Sequence, residues 1–319
     1  MSYITTPAMP TRLPYDLHAN DIVRHIINID SRYRDTPASS TSADFYYTLL
    51  NTIRNVIRIR VTSIEFPNNY FFYTRHRRNT HFYVEYKDCD NSVVRVPIEI
   101  PDGNYTVEQM IAELTDRMVA KKLPCLPLSG PVVDFSLVNG AFTFYGTIPF
   151  TIDTASDTRD RMFDYGLGYY LGFTRGRFTA SPDVSGGFFV MSNICANFVG
   201  DSYLFLRVND FNCVRQTVRL YPTTEGVMPT CAEFSALAKI VVREPKNYMS
   251  YDDYASHHIK EYVFPSPVSL SRLHVEVLDP YGDVIDLCSS QISFSLEITE
   301  VRNSSLCNAI RDSMAVQYL

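Results

Sequence analysis

The chain has 319 residues, of which 45% are hydrophobic and 20% are charged, and its formal net charge is −6. This composition excludes a disordered protein, and the length allows one large β-domain with an insertion or two medium domains. The negative charge disfavours nucleic-acid binding, for which a basic balance is expected. The chain contains 22 Tyr and 20 Phe but no Trp, and this aromatic content favours strands.

The sequence contains no run of about 18 apolar residues, so we predict no transmembrane helix. Residues 1 to 14 lack a basic region followed by an apolar stretch, so we expect no secretory signal. The 7 Cys are scattered, without a CxxC pair. This usage is typical of reduced, mostly buried thiols in a cytosol-like compartment.

Charge is distributed unevenly along the chain. Residues 1 to 80 contain ten Arg, no Lys and six acidic residues, so this segment carries +4 and the remaining 239 residues carry −10. An Arg-rich segment can face a polyanion or an acidic neighbouring subunit. Arg side chains spread over strand faces and surrounded by solvent are an equally good interpretation.

The predicted elements begin with an extended arm at residues 1 to 20, which contains prolines but no apolar period. A buried strand follows at residues 21 to 30. Two further strands are predicted at 43 to 50 and 55 to 66, because apolar and polar residues nearly alternate there. A turn at residues 67 to 69 ends this pair.

The next segment predicts a hairpin and a helix. Strands at residues 81 to 87 and 92 to 100 flank a short polar turn, which is a hairpin signal. Residues 106 to 118 place apolar side chains at i, i+3, i+4, i+7 and i+11, and Thr106 with Gln109 predicts a capping box.

A second hairpin is predicted after the helix. Asn139 and Gly140 separate two alternating runs, which favours a two-residue turn between strands. The two hairpins and the helix predict a small α+β unit at residues 81 to 189, inserted into a larger β-domain.

The C-terminal part predicts strands joined by long connections. The strands are expected at 202 to 208, 237 to 243, 270 to 278 and 292 to 302. The long connections cover residues 210 to 234 and 245 to 260, a length that suggests function, partners or disorder. Such spacing fits an all-β, Greek-key or jelly-roll sandwich formed by residues 21 to 80 and 190 to 303. Residues 304 to 319 are a predicted tail.

Few residues suggest chemistry. His257 and His258 are neighbours, and neighbours on a strand point to opposite faces, so they make a poor metal site. Gly166, Gly168 and Gly172 resemble a phosphate loop only in composition, because no strand-to-helix context and no GK[ST] follows. GxSxG, HExxH and DFG motifs are absent.

The remaining polar clusters are interpreted as surface. The acidic pairs Asp252-Asp253 and Asp157 with Asp160 lie in predicted loops and fit solvated charge. We therefore predict no catalytic, cofactor-binding or metal-ligating residues, no cofactor and no enzymatic activity.

A basic run at residues 75 to 78 follows an aromatic run at residues 70 to 73. Interleaved aromatic and basic side chains can stack on nucleic acid. On an acidic protein, a contact between subunits or an ordinary surface loop explains this pattern better.

Several segments in order resemble the minor capsid and penton-type proteins of nucleocytoplasmic large DNA viruses, such as iridoviruses, chloroviruses and mimivirus relatives. The most specific are residues 26 to 35 (IINIDSRYRD), 43 to 46 (ADFY) and 55 to 68 (NVIRIRVTSIEFPN). Others are IPDGNY at 100 to 105, YLGF at 170 to 173, LAKI at 237 to 240, LSRLHVEVLDPYG at 270 to 282 and SFSLE at 293 to 297.

This resemblance implies a jelly-roll shell protein of an icosahedral virion, assembled in the host cytoplasm. It implies contacts with its own copies, as a cyclic oligomer and most simply a pentamer at a five-fold vertex, with the major capsid protein and with other minor capsid proteins. Membrane contact without insertion is compatible with it. An internal cementing position under the shell is the main alternative, and a glycan- or receptor-binding β-sandwich is the alternative of another class.

Overall fold

The computed structural model describes residues 21–127, 130–155, 165–184, 186–209, 211, 213–220, 230–244, 246, 248–252 and 260–302. The predicted arm at residues 1 to 20 and the tail at 304 to 319 lie outside the described residues. The chain divides into two units. The first comprises the residues up to Tyr70, Asp201–Thr217 and the residues from Glu233 onward, and the second comprises Phe71–Gly200 and Val218–Ala232.

The described residues form strands, two helices and a single 3-10 turn at Ser31–Tyr33. The strands are β1 (Ile22–Asp30), β2 (Asp44–Pro67), β3 (His81–Lys87), β4 (Val93–Glu99), β5 (Val133–Ser136), β6 (Ala141–Gly146), β7 (Phe150–Asp153), β8 (Arg177–Thr179), β9 (Ser181–Pro182), β10 (Phe188–Met191), β11 (Tyr203–Val208), β12 (Val214–Leu220), β13 (Thr230–Ala236), β14 (Ala238–Val241), β15 (Met249–Asp252), β16 (Glu261–Leu278) and β17 (Ser293–Val301). The helices are α1 (Val107–Ala120) and α2 (Leu167–Tyr170). Neither helix is long and apolar enough to cross a membrane.

The first unit contains one antiparallel seven-stranded sheet in the order β1-β17-β2-β16-β11-β14, with β15 pairing β2 beside this path. Strands at both ends of the sheet contribute to one apolar core, including Ile29 of β1 and Ile240 of β14. The sheet is therefore curled around its own core, and the predicted all-β jelly-roll class is confirmed.

Two long strands, β2 and β16, lie next to each other in the middle of this curled sheet. The predicted pair at 43 to 50 and 55 to 66 is a single strand, β2, so the two-strand prediction is wrong. Asn55 has a φ of 52°, and the register with the neighbouring strands shifts at several points along β2. Such irregularities bend a strand without ending it. The polar stretch that suggested a break holds exposed positions, while Ile53 keeps an inward face.

The strand predictions for the C-terminal part are also partly wrong, again because polar residues were taken as the ends of strands. β16 begins at Glu261, well before the predicted start at residue 270. The supposed long connections contain β12 and β13, which form a two-stranded sheet, and β15. Their sequences are rich in polar residues, and polar side chains are tolerated in strands with one face in solvent.

The second unit contains two four-stranded sheets, β5-β6-β10-β9 and β4-β3-β7-β8. The predicted first hairpin is confirmed as β3 and β4. The predicted helix is confirmed as α1, and Thr106 and Gln109 form the capping box in both directions. α1 buries Met110, Leu114 and Met118 fully.

The second predicted hairpin exists, but its two-residue turn is wrong. Ser136 pairs with Ala141, so the turn has four residues. The amide of Gly140 donates to the carbonyl of Ser136 at 2.8 Å, and Gly140 has a φ of 65°. Glycine is thus required at the last position of a longer turn. The predicted insert covers residues 81 to 189, whereas the second unit begins at Phe71 and runs to Gly200.

Candidate functional site

Among the described residues of the first unit, a set of interacting charged side chains lies on the outer face of β16. Leu273, Val275 and Val277 point into the core, so the alternate residues of this strand project to the opposite face. We call this set the polar row. Its members are Asp35, Asp44, Tyr46, Arg207, Arg272, His274 and Glu276.

One end of the polar row is a stacked arrangement. Arg272 Nε donates to Asp35 Oδ2 at 2.9 Å, and its guanidinium lies 4.2 Å from the ring centre of Tyr46. The Tyr46 ring stacks on His274 with centroids 4.4 Å apart and an interplanar angle of 16°. Arg272 therefore packs against an aromatic ring and donates a hydrogen bond to a carboxylate.

The other end is a chain of polar contacts between side chains. His274 Nε2 lies 2.8 Å from Asp44 Oδ1, and His274 Nδ1 lies 3.8 Å from Glu276 Oε2. Arg207 donates hydrogen bonds to both oxygens of Glu276, from Nε to Oε2 and from Nη2 to Oε1. The ligand atoms of Asp44, His274 and Glu276 lie within 4.8 Å of one another. Arg207 donates to both Glu276 oxygens, so a cation bound there would lie beside a positive guanidinium group, which disfavours it.

Two aspartates of the first unit have pKa values below the ordinary range. Burial pulls the pKa of Asp35 upward, but the hydrogen bonds from Thr48 and Arg272 outweigh it and hold it low. The side-chain hydrogen bonds from Arg32 lower the pKa of Asp30. Both carboxylates are thus charged acceptors at neutral pH.

A groove with a volume of about 670 Å³ lies beside the polar row. It follows the part of β16 where the pairing with β2 is irregular, between Val263 and Arg272. The lining residues are Arg207, Asn209, Phe211, Ser235, Phe264, Val268, Ser269, Leu270, Ser271, Arg272, His274 and Glu276. Its volume is in the range of small-molecule sites.

The second unit holds a separate charged cluster on the sheet β4-β3-β7-β8. Glu85 accepts from Arg177, and Arg95 lies 3.5 Å from Glu85 and 3.1 Å from Asp153. Both carboxylates are almost fully buried, while the two arginines are partly exposed. The four side chains pair two anions with two cations across four strands.

The sequence favours a subunit contact or an ordinary surface loop over nucleic-acid binding for the basic run at residues 75 to 78, and two of the neighbouring aromatic rings are buried. The rings of Phe72 and Tyr73 are buried among other aromatic side chains. Arg77 is buried against Phe72, with its guanidinium 5.4 Å from the ring centre, and Arg75 pairs with Glu99 at 2.6 Å. These arginines serve local contacts, which fits the interpretation as an ordinary loop.

The glycines near α2 have packing roles. A Cβ on Gly168 would lie 2.3 Å from the Thr154 side chain, and one on Gly172 would lie 2.4 Å from the Ile194 carbonyl. Gly172 also has a φ of 92°. Close packing explains these glycines without a phosphate.

The other polar residues singled out in the sequence have no described side chains. His257, His258, Asp157, Asp160 and Asp253 lie outside the described residues, and of Asp252 only the backbone, in β15, is described.

The five cysteines with described side chains are free thiols. Burial raises the pKa of Cys125 to about 11 and that of Cys213 to about 12. Both are thus protonated at neutral pH, which makes them poor nucleophiles.

Arginines of the Arg-rich segment have partners within their own chain. Arg60 Nη2 lies 2.7 Å from Glu297 Oε2, and Arg58 lies 3.7 Å from Glu297 and 3.8 Å from Glu261. These acids come from β16 and β17. The positive charge of residues 1 to 80 is in part balanced inside the first unit.

The polar row was missed by the sequence analysis. A signal existed: on the predicted strand from residue 270 to 278, Arg272, His274 and Glu276 alternate with apolar residues. Alternation places them on one face. Their partners Asp44 and Arg207 come from distant parts of the chain, and no local pattern identifies those.

Comparison with known proteins gives a likeness of fold. No family model matches the sequence, and no curated protein matches it. The structure is similar to the crystal structure of a selenomethionine-labelled mavirus penton protein, with a TM-score of 0.44 and 7% identity, covering 86% of this chain and 99% of that chain. It is also similar to a chain in the 3.5 Å cryo-electron-microscopy structure of the Sputnik virophage, with a TM-score of 0.41 and 10% identity, covering 89% of this chain and 98% of that chain.

Proposed function

We propose that this chain is a structural, non-enzymatic component of an icosahedral DNA virus capsid that occupies the five-fold vertices as a pentamer. Its partners are its own copies, the major capsid protein and other minor capsid proteins, and it resides in the virion after assembly in the host cytoplasm. The segments between residues 26 and 297 that resemble, in their order along the chain, penton-type proteins support this role. The jelly-roll class of the first unit also supports it.

One observation carries the proposal, the exposed apolar tip of the second unit. We define the apolar tip as Leu137, Val138 and Met191. Leu137 and Val138 are 88% and 98% exposed in the turn between β5 and β6. Asn139 of the same turn reaches to 4.0 Å from the Met191 sulfur on β10. Exposed apolar side chains grouped near one turn are suited to contact with a partner.

Backbone hydrogen bonds fix the turn that carries the apolar tip. The turn closes through the Gly140 amide, and the Ala196 amide donates to the Gly140 carbonyl at 2.8 Å. A fixed turn loses little conformational entropy when a partner covers it. The tip is therefore suited to a repeated contact between identical subunits.

Analytical ultracentrifugation of the full-length chain tests this proposal. We expect a species of five times the 36.5 kDa chain mass as concentration rises. The double variant Leu137→Ser/Val138→Ser should shift the chain to smaller species without lowering its melting temperature. Val184→Ser, which changes an equally exposed valine elsewhere in the second unit, is the matched control and should assemble normally.

A chain that stays monomeric at all concentrations contradicts the pentamer. A tip variant that assembles like the control contradicts the role of the apolar tip. A chain found in virions beneath the shell rather than at the vertices favours the cementing position instead.

A further inference from the structure

The strand β1 lies at one edge of the sheet of the first unit and, among the described residues, pairs with β17 alone. The Arg302 amide donates to the Asp21 carbonyl at 2.9 Å at one end of this pairing. The Ser31 amide donates to the Ile292 carbonyl at 3.0 Å at the other end. In an antiparallel ladder such bonded pairs recur at every second residue, so the odd-numbered residues of β1 bond to β17. The even-numbered residues direct their N–H and C=O groups away from β17, and they include Ile22, Arg24, Ile26 and Asn28.

The even-numbered side chains of β1 also lie on the outer face of the sheet. Ile29 is part of the core and Ile27 packs against it, so the alternate residues point outward. Ile26 is 72% exposed. An edge whose backbone groups point outward beside an exposed apolar side chain is a template for a further extended segment.

Residues 9 to 17, which precede the described part of the chain, have the pattern of a strand that suits this edge. Residues 1 to 20 as a whole show no apolar period, but residues 9 to 17 alternate. Proline has no N–H and is tolerated in a strand only where its nitrogen points away from the neighbouring strand. Pro10 and Pro14 both occupy even positions, so every odd position of the segment can donate to β1. The odd positions hold Met9, Thr11, Leu13, Tyr15 and Leu17.

The direction of the chain favours pairing of this segment with the β1 strand of its own copy. Asp21, directly before β1, lies in a turn, and a turn there returns the preceding residues antiparallel along β1. A loop of two or four residues before Ile22 places odd residues of the segment opposite even residues of β1, and both lengths are common in hairpins. A loop of three residues would instead place Pro14 opposite Ile26, where an N–H is needed.

We propose that residues 9 to 17 bind the outer edge of β1 as an additional strand of the same chain and so prevent that edge from pairing with other chains. In the two allowed registers, the residue opposite Ile26 is Leu13 or Tyr15. Directly opposed side chains lie on the same face of a sheet, so either residue covers the exposed isoleucine. This pairing does not rest on the proposed pentamer.

Hydrogen exchange of the full-length chain, resolved to single residues, tests the pairing. The amides of Arg24 and Ile26 should exchange slowly, as should those of His25 and Ile27, which bond to β17. Leu13→Pro removes an N–H that the pairing requires. It should speed exchange at Arg24 and Ile26 by about tenfold or more, the scale of one lost hydrogen bond.

Arg12→Pro is the matched control, because it places a proline at an even position, whose nitrogen points away from β1 in this pairing. Exchange at Arg24 and Ile26 should stay slow in this variant. The amides of His25 and Ile27 should stay protected in both proline variants, which verifies that the sheet itself is retained.

Paired cysteines identify the copy that supplies the segment. Ile26→Cys combined with Leu13→Cys, or with Tyr15→Cys, covers the two registers, because directly opposed residues lie within reach of a disulfide. Mild oxidation should join one of these pairs within a single chain, so the product keeps the monomer mass on a non-reducing denaturing gel. Arg12→Cys with Ile26→Cys is the matched control and should not be joined, because these side chains lie on opposite faces in this pairing.

The protection of the edge has its own measurement. Leu13→Pro should associate into larger species faster than Arg12→Pro at equal concentration, as light scattering measures. The apolar tip is unchanged in both variants, so a contact through the tip contributes equally to both.

Four outcomes overturn the proposal. They are fast exchange of the even-numbered β1 amides in the original chain, equal exchange in the two proline variants, a disulfide that joins two chains, and equal association of the two proline variants.

Discussion

The two units hold their charged side chains in different ways. In the second unit, Glu85 and Asp153 are almost fully buried and two arginines match them in number. In the first unit, the polar row combines two arginines with three carboxylates, a histidine and an aromatic ring, and it lies beside a groove. The closed cluster of the second unit, with equal numbers of carboxylates and arginines, joins four strands, whereas the polar row joins β2, β11 and β16 to the segment after β1 that contains Asp35.

The largest expected effect concerns the two cores, which should be equally intolerant of cavities. Phe294 of β17 and Phe144 of β6 are both fully buried. Phe294→Ala and Phe144→Ala should each lower the free energy of unfolding of their own unit by about 3–5 kcal/mol. Hydrogen exchange of β17 and of β6 measures the two losses. A loss typical of surface substitutions at either position would contradict the assigned core.

The next effect tests the closed cluster of the second unit. Glu85→Ala removes the carboxylate between Arg95 and Arg177, and we expect a loss of about 1–3 kcal/mol in chemical denaturation. Glu99→Ala is the matched control, because Glu99 pairs with Arg75 on the same sheet but is 43% exposed. It should cost less than about 1 kcal/mol. Similar losses of unfolding free energy in the two variants would show that the burial of Glu85 does not strengthen its ion pairs.

A smaller effect compares two buried tyrosines. The Tyr73 hydroxyl in the second unit is buried with no hydrogen-bond partner in the described structure, and burial raises its pKa far above the usual range. Tyr73→Phe should therefore leave stability unchanged or raise it slightly. In the first unit the Tyr70 hydroxyl donates to Asp201 at 3.1 Å, so Tyr70→Phe should cost about 1 kcal/mol. Thermal melts of the two variants compare them, and a larger loss in Tyr73→Phe would contradict this account.

The smallest expected effect is a pH dependence of the polar row. The pKa of Asp35 is lowered in the folded chain. The stability that it contributes is complete above its ordinary pKa and is lost as the pH falls through the lower, folded value. Asp35→Asn should therefore lower the stability of the first unit at neutral pH, where the contribution of the carboxylate is complete, and flatten the acid limb of its stability curve. An unaltered acid limb would show that the bonds from Thr48 and Arg272 contribute nothing.

Local signals in the sequence were sufficient for several elements. The helix α1 and the hairpin of β3 and β4 are confirmed, because capping and alternation depend on residues close in the chain. The all-β class is confirmed for the same reason. The prediction that the chain has no catalytic or metal-binding residues stays a prediction.

Features that depend on distant residues were not predictable. The bend in β2 at Asn55 is stabilised by β16 and β17, which lie more than 200 residues away in sequence, so a local break seemed to end the strand. The polar row joins Asp44 to His274 through the pairing of β2 with β16. The groove forms where this pairing becomes irregular, and an irregular register has no simple sequence signature.

A cryo-electron-microscopy map of the parent particle tests the central proposal most directly. The account predicts five copies of this chain around each five-fold axis, with the jelly-roll sheet of the first unit in the shell and the apolar tip covered by a neighbouring subunit. Vertices occupied by a different fold, with this chain absent from the particle, would contradict it.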